Sequence, residues 1–249
     1  MEAATRAGPV VADRRIRHIR VMVDWVVRGA GRARARFGGL LAPLVVVAGL
    51  LVPSTVLGAL PASIAVVVGK PIARQVFNHW MFVDAKSNNG ANAPLIVPTD
   101  PPRFNGCLAQ VRAAIPSLRH TPTHDLRADC AQLFRDTSQQ VLDLLIRADW
   151  QEVEATADGI VITAAQVEQA FKVDIRRRYP KPAEFRRYLK RSGETVADVK
   201  FRIRTSLIFT ALLKTEHLSA DALEAELTPR FKPKTTCARY YVMSDCLGR

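Results

Sequence analysis

Between Phe37 and Gly69 the chain runs for 33 residues without a charged side chain, and this interval constrains its folding more than any other feature. Bilayer hydrocarbon is about 30 Å thick, so roughly 20 apolar residues in a helix cross it. The segment 39–61, dominated by Leu, Val and Ala, meets that length. Ahead of it, residues 1–36 carry nine Arg against Glu2, Asp13 and Asp24, a net charge of +6. Basic flanks stay on the cytoplasmic side. The pattern therefore predicts a basic cytoplasmic arm over 1–38, a single transmembrane anchor or signal segment over 39–61, and an extracytoplasmic part over 70–249, at the cell membrane. A cleaved signal peptide is the competing reading. Ser63-Ile64-Ala65 would serve as its cleavage site, and Pro53 and Pro61 would interrupt a spanning helix near its outer end. The basic region is long for a signal peptide unless translation starts at Met22, and Arg14-Arg15 lies too far from the apolar run for a twin-arginine signal. That length favours a retained anchor.

Removing about 65 residues leaves about 180, enough chain for one domain with its own core. The formal net charge of +13 would suit nucleic acid, since clustered Arg and Lys neutralise phosphates. Export argues against that partner and for anionic lipid, an anionic polymer or simply solvated basic faces.

Cys107, Cys130, Cys237 and Cys246 all follow the apolar run. An even number of cysteines in an exported chain reads as disulfides, with three possible pairings, of which the nearest-neighbour one, 107–130 and 237–246, is the expectation. The spacing Cys107-x12-His120-x3-His124 matches half of a zinc finger. Structural zinc normally also needs a tight Cys-x2–4-Cys pair, which is missing, and Pro116 and Pro122 interrupt the segment. No metal or cofactor is expected.

Four prolines and several turn formers make 87–106 a loop, and 116–124 is similar. The remainder is helical by pattern, so the expected fold is mainly α with short strands. Val66–Val68 reads as a strand with a turn at Gly69-Lys70. A helix should start after Pro71 and run to about Lys86, and the longest helix should span about 125–157, with Phe134, Val141, Leu144, Leu145 and Ala148 at helical spacing. Ile160–Ile162 is an extended step. Thr163-Ala-Ala-Gln166 then reads as a capping box opening a helix to about Arg178. A short helix at about 183–191 follows Pro182. Thr195-Val-Ala-Asp198 caps a helix to about Glu216, with Val199, Ile203, Leu207 and Ala211 every fourth residue. A last helix over about 220–227 precedes Pro229, and the tail 236–246 should fold back as a small β clasp.

Nothing in this pattern is an active site. His79, His120, His124 and His217 stand beside no nucleophile, and phosphate loops and metalloprotease motifs are absent. One basic run is notable. Ile175 to Arg191 carries eight Arg or Lys against Glu184, with Tyr179, Phe185 and Tyr188 interleaved. Charge runs are commonly solvated faces, and Phe77, Trp80, Met81, Trp150, Phe171 and Phe201 sit at spacings typical of core.

The order of six segments nevertheless resembles a family. These are Val66 to Trp80 (strand, turn, helix), Leu144 to Ala155, Gly159 to Phe171, Tyr179 to Leu189, Ser192 to Arg204, and the tail Thr236 to Cys246. Together they resemble the N-terminal chaperone domain of SurA and PrsA-type extracytoplasmic foldases, in the membrane-attached form of Gram-positive, GC-rich bacteria, over residues 66–249. Many such foldases insert a parvulin prolyl isomerase domain before the tail. Here only the 17 residues from Leu218 to Lys234 occupy that place, without parvulin histidines. The resemblance implies a SurA-like helical domain that binds unfolded or newly exported polypeptides without covalent chemistry. Phe77, Trp80, Met81, Phe171, Tyr179, Phe185 and Tyr188 are its candidate client contacts. A peptidyl-prolyl isomerase and a scaffold docking one envelope partner through 175–191 are the alternatives.

Overall fold

A two-residue turn sets the start of the domain. In the computed structural model, which describes residues 63–89, 93–241 and 243–248, strand β1 (Ser63–Val67) pairs antiparallel with β2 (Lys70–Ala73). Val67 lies opposite Lys70, so Val68 and Gly69 alone turn the chain, with φ of 50° and 84°. A turn of this length needs positive φ at both central residues to match the strand twist. Gly69 adopts it freely, whereas Val68 is β-branched and strained there. Its side chain is exposed, and its N–H donates to the Lys234 carbonyl at 3.0 Å. The helix expected directly after Pro71 starts later. Pro71 faces Val66 within β2, an edge strand, where a missing N–H is tolerated. Helix α1 then runs Arg74–Asn88. The predicted arm and the anchor or signal segment fall outside the described residues.

Helix α2 (Asn105–Ala114) follows the proline-rich loop, which ends two residues sooner than its composition suggests. A 3-10 turn at Pro116–Leu118 leads to α3, Thr123–Ala157, 35 residues or about 52 Å long. Beyond it come α4 (Ala164–Arg178), α5 (Pro182–Ser192), α6 (Val196–Glu216) and α7 (Ala220–Phe231). Helix α7 continues through Pro229 instead of ending before it. Proline costs one backbone hydrogen bond, but Leu227 and Phe231 are both buried and hold the last turn in place.

Strand β3 (Thr235–Cys237) pairs antiparallel with β1, and β4 (Leu247–Gly248) lies parallel to β3, giving the order β2-β1-β3-β4. The C-terminal chain thus closes onto the first strand. It carries less strand than expected, because 238–246 is mostly turn, closed by the Cys237–Cys246 disulfide. The second bridge, Cys107–Cys130, ties α2 to α3. With Cys107 and Cys130 joined, the half zinc finger loses its thiolate ligand.

Packing centres on α3. Phe134 meets Phe77 at 6.2 Å, Phe104 at 5.6 Å and Tyr241 at 5.6 Å between ring centroids, so α1, the loop, α3 and the tail share one aromatic core. Trp150, 1% exposed, donates its indole N–H to Thr235 Oγ1 at 2.8 Å and stacks on Phe231. Burying each such side chain contributes about 2–3 kcal/mol. The architecture is mainly α with one small sheet. All these elements belong to a single unit, residues 58–249, and no helix among the described residues is long and apolar enough to cross a membrane.

Candidate functional site

Three short-range signals shape the corner formed by α4, α5 and the start of α6. Thr163 caps α4: its hydroxyl accepts from Gln166 N at 3.2 Å, and its own N–H donates to Gln166 Oε1 at 2.7 Å. Pro182 occupies the first turn of α5, where its lack of an N–H costs nothing. Thr195 and Asp198 repeat the reciprocal cap at α6, with distances of 2.6 and 3.2 Å. Asp198 Oδ2 also bonds His79 Nε2 at 2.9 Å, which fixes the α6 N-terminus to α1. Burial opposes charge on Asp198, but the Thr195 backbone and hydroxyl together with His79 hold its carboxyl below the usual carboxylate range.

Four of the seven predicted contact residues meet at this corner. Phe171 lies 5.9 Å from Phe185, Tyr179 lies 5.5 Å from Phe185 and 5.2 Å from Tyr188, and Phe185 stacks on Tyr188 at 6.3 Å. All four are half-buried. Lys200 sits 5.0 Å over the Phe171 ring and pairs with Glu168 at 2.7 Å. Beneath the cluster, buried Glu194 accepts from the Tyr188 hydroxyl and pairs with Arg202 at 2.7 Å, while Arg202 also donates to Tyr188 at 2.8 Å. Burial, then the bond to Glu194, pushes the Tyr188 phenol up. No local sequence signal marks this buried carboxylate, whose partners are six and eight residues away.

The other three candidates belong elsewhere. Phe77 and Met81 have no exposed surface and Trp80 has 6%. Phe77 packs on Phe134 and Tyr241, and Trp80 on Phe201 at 5.5 Å. They build the core and are withdrawn as contact residues, because a side chain sealed inside α1's packing face cannot reach a ligand.

Helix α6 provides what they do not. Its apolar residues surround the axis, so it has no polar side. It packs against α3 on one flank and α4 on another. The buried positions are Asp198, Val199, Ile208 and Leu212, with Phe201 against the core. The periodic set expected to face inward divides differently: Val199 is buried, whereas Ile203, Leu207 and Ala211 stay partly exposed. Val196, on the same side as Ile203 and Leu207, is 39% exposed. The result is an incompletely covered apolar stripe along α6.

A cleft of about 120 Å³ opens beside this helix between Ile160, Val161, Ile162, Ala155, Arg204 and Ile208. Val161 is 75% exposed at its edge. Arg204 braces it, donating to the Ile162 carbonyl at 2.7 Å and to Glu152 at 2.9 Å, and Lys70 reaches Asp149 at 2.5 Å. The Arg204 bond lowers the Glu152 carboxyl below its usual range. These ion pairs position backbone around the cleft. Among the described residues no group of three or more His, Cys, Asp or Glu is placed to hold a metal ion.

Comparison with protein-family models, curated proteins and solved structures returns no match.

Proposed function

We propose that this protein is a membrane-anchored extracytoplasmic chaperone of the SurA/PrsA type, lacking a prolyl isomerase domain, that holds unfolded exported polypeptides by reversible contact. The observation that carries the reading is α6. This 21-residue helix, with apolar side chains all round its axis, is clasped on two flanks and leaves Val196, Ile203 and Leu207 partly uncovered. Uncovered apolar area binds many sequences weakly and without directional bonds, which suits a holdase. The aromatic corner formed by Phe171, Tyr179, Phe185 and Tyr188 adds half-buried aromatic surface nearby.

The full-length chain in nanodiscs of zwitterionic lipid should delay aggregation of several unrelated unfolded proteins, relative to empty nanodiscs. Replacing Ile203 and Leu207 together by Ser should weaken the delay while leaving the circular dichroism unchanged. Isomerisation of a short proline peptide, whose barrier is about 18–20 kcal/mol, should proceed at its uncatalysed rate. No delay of aggregation, or an equal delay by the double variant, refutes the proposal. A reporter active only outside the cytoplasm, fused after Arg249, tests the location.

A further inference from the structure

The outer face of α5 carries charge that the fold itself does not use. Arg186, Arg187, Lys190 and Arg191 are all exposed and share one side of the helix, opposite half-buried Phe185 and Leu189 and buried Ser192. Arg186 and Lys190 are four residues apart, as are Arg187 and Arg191. Like charges at that spacing repel along a helix, whereas solvated helices commonly alternate their signs. The nearby carboxylates are engaged elsewhere: Glu184 accepts from the Lys181 N–H at 3.4 Å, Asp174 holds Arg178 at 2.9 Å and Glu194 holds Arg202. Among the described residues none of the four α5 cations has an acidic partner.

We propose that this face selects acidic segments of an extended polypeptide, with carboxylates on the α5 cations and neighbouring apolar side chains directed toward the Tyr179–Tyr188 border. The inference rests on the polypeptide-binding reading above and adds the class of sequence preferred. The spacing fits. Arg186 and Lys190 are separated by about 6 Å along the helix axis, and alternate residues of an extended chain by about 6.6 Å. Acids at every second position therefore meet successive cations. Tyr179 packs at 5.2 Å against Tyr188, which is on the same helix as the four cations, so charge and aromatic surface adjoin.

Two other polyanions fit less well. Single-stranded nucleic acid stacks its bases on free aromatic faces, but Phe185 and Tyr188 lie against each other at 14°, and the other two rings of the cluster contact them. A lipid surface calls for a broad apolar face inserted beside the cations, whereas Phe185, Tyr188 and Leu189 are each half-buried against the fold.

The test uses the full-length chain in zwitterionic nanodiscs and three labelled peptides with one central apolar segment. Their flanks carry Glu at every second residue, Lys at every second residue, or no charge. Fluorescence anisotropy should show the acidic peptide binding on the order of ten-fold tighter than the basic one at roughly 50 mM salt, with the ratio falling toward one near 300 mM as screening shortens the field. In the variant R186Q/R187Q/K190Q/R191Q the preference should vanish while the uncharged peptide still binds. Equal affinities in the parent, or a preference that survives in the variant, overturns the proposal. So does a face that prefers phosphatidylglycerol vesicles or polyuridylate and shows no peptide discrimination. Charge preference without any delay of aggregation would sink the chaperone reading alone. Delay without charge preference would sink this one alone.

Discussion

Gly193 caps α5 where it packs closely on α1, and replacing it with alanine should loosen the corner that carries the aromatic cluster. Two costs add. The residue has φ of 75°, a conformation that disfavours any Cβ by about 1 kcal/mol. A Cβ there would also stand 2.7 Å from Phe82 Cε1 and 3.0 Å from Lys86 Cδ, both on α1. Lys86 can swing aside. The half-buried Phe82 ring has to move, and overpacking of this kind costs about 1–3 kcal/mol. The sum is about 2–4 kcal/mol. Gly159 provides the internal control, since its φ is 69° but a Cβ there would meet nothing within 4 Å. Gly159→Ala should therefore cost only the backbone contribution, about 1 kcal/mol. Urea denaturation of the full-length chain in a neutral detergent, followed by far-UV circular dichroism, compares the two. Amide hydrogen exchange across 182–192 should quicken in Gly193→Ala and stay unchanged in Gly159→Ala. If both variants lose the same stability, the close approach of α5 to α1 is not part of the fold and the reasoning fails.

Other positions give shorter tests. Val68→Asn should stabilise the domain by roughly 0.5–1 kcal/mol, because Asn tolerates the left-handed turn that strains valine; a lower midpoint in urea would count against the turn. Burial, then the charge of Asp245, raises the Asp143 carboxyl to about 6 despite Arg147. The folded state then holds a proton that the unfolded chain releases, so the contribution of Asp143 to stability is greatest below about pH 4 and is lost as pH rises through about 6. Asp143→Asn should gain roughly 1 kcal/mol at pH 7.5, an amount discounted for partial exposure, and nothing at pH 3.5, as thermal melts would show. Removing Cys107–Cys130 or Cys237–Cys246 by paired Ser substitutions should cost about 3 kcal/mol each. Non-reducing peptide mapping should find those two bridges, and any other pairing would contradict the packing of α2 on α3 and of β3 beside β4.

Local chemistry made much of the helical order readable. The capping boxes at Thr163 and Thr195 start α4 and α6, Gly159 stands just past the end of α3, and the α3 apolar repeat faces the core at Phe134, Val141, Leu145 and Ala148. These signals act within a turn or two of chain, where sequence and geometry are tightly linked. The misplaced features depend on distant partners. Pro71 lies in a strand because Val66 pairs with it, and α7 passes Pro229 because Phe231 stacks on Trp150, 81 residues earlier. Helix α2 follows a proline-rich stretch whose turn formers obscure its start, and its anchor is a disulfide to α3.

Exposure was harder to read than helix location, and α6 shows why. Its apolar residues occupy all sides, so periodicity marks a helix without marking an inner face. Which side is covered depends on where α3 and α4 happen to lie. An all-round apolar helix normally becomes wholly buried, in a core or a membrane. Here its two neighbours leave Val196, Ile203 and Leu207 partly open, and an uncovered stripe of that kind invites self-association. The uncompensated cations on α5 bear on the same difficulty. Repulsion between copies of a basic chain, +13 overall, opposes that association without covering the stripe. Neutralising the α5 cations should therefore promote concentration-dependent self-association through α6 as well as erase charge preference. The Ile203 and Leu207 substitutions should suppress that association in the same background.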